Sequence, residues 1–332
     1  MKVLVTGASG FIGSHTVAAL SAAGHEVIAF VRSPAKLESV LAPFELDVSP
    51  HVAVGDLADA ASITAAARGA DAIVHTAAAV AVAGQTGPEG DLNVAGTRAV
   101  LDAAAGHGID RVVYLSTLAA FLPSEDPVLN ERSPLAEPLS SYGRSKRDAE
   151  LLVRAAQDDG LGVVTLYPGG VYGPLSPNLD NSFAAILGAT TFGMMCPPGG
   201  MGVIDVRDLA SMVVASLERC DGPRRFMCGG HFLTWRDWTM VLREASGLDV
   251  AIIDVSAEDM AQMGREFDRQ RATLHIDTPL SEEAAVIMAA GRPTDDTAAL
   301  RELGVTYRPV LDTMRDAVEY LRSTGAMSRL PT

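Results

Sequence analysis

Six residues into the chain, the run Thr6-Gly7-Ala8-Ser9-Gly10-Phe11-Ile12-Gly13 interrupts a stretch rich in Val and Leu. Residues 2–6 read as a β-strand, and residues 11–23 as a helix closed by Gly24. A strand that turns into a helix through small residues leaves few folds open. The backbone turns tightly where there is no Cβ, and the helix start offers unpaired N–H donors at the positive end of its dipole. The backbone at Gly7, Ser9, Gly10, Phe11, Ile12 and Gly13 is therefore expected to cradle the pyrophosphate of a dinucleotide. The spacing G-x-x-G-x-x-G is one residue longer at its first gap than the dinucleotide fingerprint, so the weight rests on the strand–turn–helix context. The plainer alternative is a glycine-rich turn that binds nothing.

The same alternation continues. Short apolar runs at 27–31, 51–54, 72–75, 111–116 and 162–167 read as strands, and 34–41, 60–68, 91–105 and 141–156 as helices. Strands apolar on both faces, alternating with helices, imply a parallel sheet covered on both sides: a doubly wound α/β fold. From 169 to 202 the chain is rich in Gly and Pro and reads mostly as loop, with one helix near 183–187. Helical patterns return at 209–217, 234–245, 281–290, 297–303 and 310–320. The expected division is a nucleotide-binding domain over 1–168 and, over 169–332, a mainly substrate-binding region that partly returns to the sheet.

Composition narrows the function classes. Of 332 residues, 48% are hydrophobic and 20% charged, enough apolar content for a packed core. A net charge of −15 makes nucleic acid and anionic membrane unfavourable partners. The three cysteines, Cys196, Cys220 and Cys228, form no CxxC pair, so neither a disulfide framework nor a metal site is expected. The opening apolar run is too short for a signal-peptide core, and no stretch reaches membrane-spanning length. A cytoplasmic location is the expectation.

The residues after each strand suggest which dinucleotide. An acid after the second strand would hold the ribose 2′-hydroxyl of NAD, whereas an Arg accommodates the 2′-phosphate of NADP. This chain has Arg32 there, with Lys36 one turn on and no acid, so NADP(H) is favoured over NAD(H). Gly55-Asp56-Leu57 follows the third strand, where Asp56 could accept from the adenine amino group beside Leu57. His75-Thr76-Ala77-Ala78 follows the fourth. Small residues at Thr76, Ala77 and Ala78 would let the cofactor pass close, while His75 reads as a packed, hydrogen-bonded residue.

Tyr142-Gly143-Arg144-Ser145-Lys146 puts a phenol and an ammonium at i and i+4 on one helix face. A phenol of pKa ~10 is a poor proton donor–acceptor near neutrality, and a nearby ammonium lowers that value. The fifth strand ends at Ser116-Thr117, where a hydroxyl could bind a substrate oxygen.

Taken together, TGASGFIG from Thr6, GDL from Gly55, HTAA from His75, NVAGT from Asn93, YLST from Tyr114, YGRSK from Tyr142, YPGGVYGP from Tyr167 and DVRDLA from Asp205 resemble the extended short-chain dehydrogenase/reductases. That group is also described as the NAD-dependent epimerase/dehydratase family. The resemblance spans roughly residues 1–212 and implies a Rossmann fold with Ser/Thr–Tyr–Lys chemistry. It implies that Thr117 orients the substrate carbonyl, Tyr142 gives or takes the proton, and Lys146 tunes Tyr142 and binds ribose. Asn93 is implied to support a water relay or the local helix geometry, and Pro168, Gly169 and Val171 to line the nicotinamide side. Tyr167 stands where many members carry an arginine. A homodimer through helices 91–105 and 141–156 is a family-level expectation.

Arg32-Ser33-Pro34, Gly291-Arg292-Pro293 and Leu303-Gly304-Val305 resemble the dihydroflavonol reductase-like branch. Tyr-Pro-Gly after the sixth strand differs from the Tyr-Phe-Asn of many sugar-nucleotide epimerases. A sugar diphosphate would want a basic clamp, and Arg207, Arg224, Arg225 and Arg236 do not obviously converge. Val80, Leu118, Phe121, Tyr172, Phe192, Met194 and Met195 are expected to line an apolar pocket. The expected activity is NADPH-dependent reduction of a small-molecule aldehyde or ketone. The alternatives are a nucleotide-sugar epimerase or dehydratase with retained cofactor, and a non-catalytic nucleotide-sensing protein.

Overall fold

The computed structural model describes residues 1–77, 89–139, 141–179, 181–271 and 280–327, and the backbone alone at 89–91, 141, 142, 181 and 271. The first half runs β1 (Lys2–Thr6), α1 (Phe11–Ala22), β2 (Glu26–Val31), α2 (Pro34–Leu41), β3 (His51–Val54), α3 (Ala60–Ala67), β4 (Ala72–His75), α4 (Glu89–His107), β5 (Val112–Leu115), α5 (Ser141–Asp158) and β6 (Val163–Pro168). The second half runs β7 (Gly170–Tyr172), α6 (Asn181–Phe192), β8 (Met194–Cys196), β9 (Gly200–Asp205), α7 (Val206–Arg219), β10 (Arg224–Cys228), β11 (His231–Thr234), α8 (Trp235–Ser246), β12 (Ile252–Asp254), α9 (Ala257–Arg271), α10 (Glu282–Ala290), α11 (Thr297–Leu303) and α12 (Val310–Ser323).

Seven strands form one parallel sheet in the order β10-β6-β5-β4-β1-β2-β3. The order reverses between β1 and β4, which makes the doubly wound Rossmann arrangement with its crevice at that point. Alternate side chains of β1 go to opposite faces. Val3 and Val5 pack with Val17 and Leu20 of α1 and Leu209, Met212 and Val213 of α7. Leu4 packs with Ile63 of α3, Val100 and Ala103 of α4, and Val153 of α5. Leu4 is fully buried, so Leu4→Ala would cost about 2–5 kcal/mol. Val52 and Val54 stay exposed because β3 is the sheet edge. A separate core, built on Trp238, Phe183, Tyr172 and Met314, lies between α6, α8 and α12.

Two expectations change. The stretch 169–202 is not mostly loop, since β7, α6, β8 and β9 lie within it. Its strands are too short to show a period, and α6 is apolar on most sides, which hides the helical stripe. Helix α9 and strands β11 and β12 also lie where the sequence predicts no element, as does β10. Strand β10 opens with Arg224 and Arg225 at the sheet edge, where charges are tolerated.

Candidate functional site

Strand register places the candidate residues on one rim. Thr6 pairs with His75 and with Phe30, Val31 with Val54, His75 with Tyr114, and Leu115 with Leu166. The segments leaving β1, β2, β3, β4, β5 and β6 therefore open at the C-terminal ends of parallel strands, where ligands bind in such sheets.

At the switch point the loops after β1 and β4 touch. Gly7 has φ +76°, and a Cβ there would lie 2.7 Å from both the Ala77 amide nitrogen and Thr76 Oγ1. A Cβ on Gly13 would run into the Gly7 carbonyl and come within 3.0 Å of Thr76 Oγ1. The Gly10 amide donates to the Gly7 carbonyl at 2.8 Å. Gly10 is also the N-cap of α1, with no side-chain cap bond and no acid in the first turn. This is a cradle without side chains at a helix start, and it fits a pyrophosphate. Phe11 is buried against His15 and Phe183, and Ile12 packs on the core, so both face the cradle with backbone only.

Arg32 and Lys36 are exposed beyond β2, and neither side chain makes an ion pair among the described residues. Ser33 caps α2 by accepting from the Lys36 amide at 3.2 Å. Asp56 Oδ1 accepts from the Ala58 amide at 2.9 Å, while Leu57 packs over Gly96 of α4. Ala77 lies at the glycine loop, and Ala78 falls outside the described residues.

His75 is packed and bonded as expected. Its Nδ1 pairs with Thr6 Oγ1 at 2.7 Å, its Nε2 with Thr97 Oγ1 at 3.3 Å, and its ring stacks on Tyr114. Loss of water, and secondarily the Lys146 charge, push its pKa down to about 3. The Lys146 charge is thus felt at His75, at the end of β4. Lys146 is partly buried, and desolvation lowers its pKa to about 8. Tyr142 and Lys146 sit at i and i+4 in the first turns of α5, with the Tyr142 side chain outside the described atoms.

Thr117 follows β5 and is half-buried. Its Oγ1 accepts from the Ala119 amide at 3.2 Å, capping the short 3-10 turn Leu118–Phe121. That bond uses a lone pair and leaves the hydroxyl proton to donate elsewhere. Asn93 is buried on α4 and donates to Ser145 Oγ of α5 at 3.3 Å, which ties the two helices beside Lys146. Pro168 ends β6. The Gly169 amide bonds the Cys228 carbonyl at 3.4 Å, and a Cβ there would lie 2.5 Å from the Gly202 carbonyl oxygen. Val171 is partly buried in β7.

Sequence reasoning missed Glu150. It is fully buried on α5, accepting from Ser116 Oγ at 2.8 Å, Tyr167 OH at 2.5 Å and Arg154 Nε at 2.9 Å. The signal was present, because Glu150 is one turn beyond Lys146 on the same face. Burial and the Glu150 charge push the Tyr167 pKa up. The second half also reaches this helix: Glu283 of α10 accepts from the Leu139 amide at 3.2 Å and crowds Gly143, where a Cβ would meet it.

The apolar pocket does not form as expected. Phe121, Tyr172 and Met194 are core, Leu118 is buried with Phe121, and Phe192 is 81% exposed. Met195 only borders the small cluster around Met260, and Val80 lies outside the described residues. Chemically similar side chains fill cores and pockets alike, and only packing separates them.

Residues 3–229 match the NAD dependent epimerase/dehydratase family. The chain is 28% identical over 333 residues to sterol demethylase protein B of Methylococcus capsulatus, covering 98% of this chain and 99% of that one. It is 31% identical over 256 residues to cinnamoyl-CoA reductase 1 of Oryza sativa subsp. japonica, covering 73% and 75%. The crystal structure of gox2253 superposes with a TM-score of 0.81 at 25% identity, covering 99% of each chain. A dTDP-glucose 4,6-dehydratase of Streptomyces antibioticus falls in the same range, at 32% identity over 276 residues, covering 78% and 81%.

Proposed function

Because this chain belongs to the NAD-dependent epimerase/dehydratase family, whose members are NAD(P)-dependent enzymes, we propose that it is an NADPH-dependent reductase of a small aldehyde or ketone. One observation carries the choice of reductase over sugar-nucleotide chemistry. Of the four arginines weighed as a diphosphate clamp, Arg224 and Arg225 open β10 at the end of the sheet away from the rim, and all four are held by other partners. Arg207 pairs with Asp205 and Asp316, Arg224 with Glu302, Arg225 with Gln157 and Asp158, and Arg236 with Asp254. A diphosphate would have to break these pairs to recruit them. Arg292 Nη1 donates to the Gly291 carbonyl at 3.1 Å and has no carboxylate partner among the described residues.

The glycine cradle of Gly7, Gly10 and Gly13 would hold the pyrophosphate, with the amides of Ser9, Phe11 and Ile12 at the start of α1. Arg32 and Lys36 would pair with a 2′-phosphate. Asp56 and Leu57 would border the adenine. Thr76, Ala77 and Ala78 would let the cofactor pass, and Pro168, Gly169 and Val171 would flank the nicotinamide. When bound, a reduced nicotinamide supplies the hydride for a carbonyl carbon.

Thr117 donates its hydroxyl proton to the carbonyl oxygen and fixes its direction. Tyr142 transfers its phenolic proton to the same oxygen, so the product is an alcohol. The Lys146 ammonium, one turn along α5, favours the phenolate left behind and also holds the ribose hydroxyls. Asn93 supports α5 through Ser145. In this reading residues 1–168 bind the cofactor and the rest mainly binds substrate. A homodimer would pack through α4 and α5, where Ala95, Arg98 and Leu151 are exposed, and light scattering showing only monomer would remove it.

A second reading is supported by the dehydratase among the relatives: a sugar-nucleotide dehydratase or epimerase that retains its cofactor. Identification of cofactor released from the purified protein separates the two. Protein that purifies without cofactor and consumes added NADPH supports the reductase. Stoichiometric retained NAD without net consumption supports the second reading.

A further inference from the structure

We propose that Glu150 is a positioning residue, one buried carboxylate that sets Thr117 and Pro168 in place against Tyr142 and Lys146. The proposal rests on the catalytic reading above. Its ground is the position of each partner in the chain. Ser116, which donates to one carboxylate oxygen, immediately precedes Thr117. Tyr167, which donates to the other, immediately precedes Pro168. Glu150 itself stands four residues beyond Lys146 and eight beyond Tyr142 on α5. Tyr142, Lys146, Glu150 and Arg154 thus descend one stripe of the helix, each step turning the face by only about 40°.

Three elements carry the chemistry, and this one side chain is hydrogen-bonded to the other two from the third. Apolar packing would hold the same elements together, and replacing a buried ion pair by apolar residues is often neutral or stabilising. Apolar contacts can slide, however, while hydrogen bonds of 2.5–2.9 Å fix separation and direction. The tolerance that matters is small, since a displacement of about 1 Å at a reacting centre can lower the rate about 100-fold. Arg154 supplies the positive partner from within α5, at 2.9 Å. The charge balancing Glu150 thus comes from the helix, and Tyr167 brings only a hydroxyl from the sheet. The strand keeps a neutral hydroxyl that registers β6 without placing a cation near the nicotinamide side.

Glu150→Gln leaves Arg154 without its carboxylate and can fail to fold, so Ser116→Ala and Tyr167→Phe carry the test. Each removes one tether and leaves the ion pair intact, and Tyr167→Phe keeps the edge-on packing against Phe121 at 4.9 Å between centroids. Each variant is expected to lower kcat for carbonyl reduction about tenfold or more, with the NADPH dissociation constant from fluorescence titration unchanged within about twofold. The double variant is expected to fall less than the product of the singles, because both act through Glu150. An unchanged kcat, or a loss that merely follows the folded fraction, would overturn the proposal. If the wild-type protein reduces no carbonyl compound, the functional reading fails. Positioning is then read from the pH dependence of Lys146 acetylation in Tyr167→Phe. A midpoint moved up from that of the wild type, as greater access of water to Lys146 requires, sustains it, and an unmoved midpoint overturns it.

Discussion

The hydroxyl of Thr76 donates to the carbonyl oxygen of Thr6 at 2.8 Å and so pins the loop after β4 against the loop after β1. This contact leaves no room for a Cβ at Gly7 or Gly13. Gly7→Ala also forces a positive φ, at about 1–2 kcal/mol. The variant is expected to keep the circular dichroism of the folded protein and to bind NADPH at least about 100-fold more weakly, since backbone approach to the pyrophosphate is lost. Unchanged affinity in a fluorescence titration would place the cradle elsewhere.

Arg32 should select the cofactor. A charge-assisted hydrogen bond to phosphate contributes about 1.5–3 kcal/mol, or roughly 10–100-fold. Arg32→Ala is expected to lower kcat/KM for NADPH by that factor while leaving NADH unchanged. Arg32→Asp should go further and favour NADH, because an acid there suits a ribose hydroxyl. Steady-state rates with both cofactors check this, and equal losses for the two would contradict it.

Much of this was legible beforehand, for physical reasons that differ by region. The period of apolar residues and the glycines after strands marked β1, α2, β3, β4 and α11 with the bounds observed. Central parallel strands are buried on both faces and read as unbroken apolar runs. Arg32, Thr76, Thr117 and Pro168 stand at or just after such strands, whereas Asp56 follows the exposed edge strand β3 and Asn93, Tyr142 and Lys146 lie on helices. What could not be read depends on tertiary contact. Phe192 and Phe121 look alike in sequence, yet one is exposed and the other fully buried. The position of Glu150 one turn beyond Lys146 is visible in the sequence, but its burial and its bonds to Ser116 and Tyr167, far along the chain, arise only in the fold.

Burial of neutral His75 makes stability depend on pH. Its pKa falls from 6.5 unfolded to about 3 folded, so the unfolded chain binds the extra proton between those values. Stability is therefore full above about pH 6.5 and is lost as pH falls toward 3. At pH 5 the loss from His75 alone is about 2 kcal/mol. His15, lowered to about 4 chiefly by burial, acts in the same direction. Urea unfolding at pH 7 and pH 5 should show the difference, and His75→Gln should shrink it. An equal pH dependence in that variant would contradict the assignment.

Lys146 should set the alkaline limb of catalysis. Its pKa near 8 means that the ammonium supporting the Tyr142 phenolate is present below that pH and lost above it. The kcat/KM for reduction, which reports groups of the free enzyme, is expected to fall above about pH 8. In Lys146→Arg, slower overall, that limb should vanish because guanidinium does not titrate there. A limb unmoved by the substitution would assign it to another group.

The central claim is tested most directly by net turnover. Purified protein would be mixed with NADPH and a panel of aldehydes, ketones and dihydroflavonols, with alcohol product measured beside cofactor loss, for the wild type and Tyr142→Phe. The account predicts one alcohol formed per NADPH consumed by the wild type. It predicts a fall of at least about 100-fold in Tyr142→Phe with NADPH binding retained. Tightly held cofactor, no net consumption on any carbonyl compound, and conversion of a nucleotide sugar would contradict it.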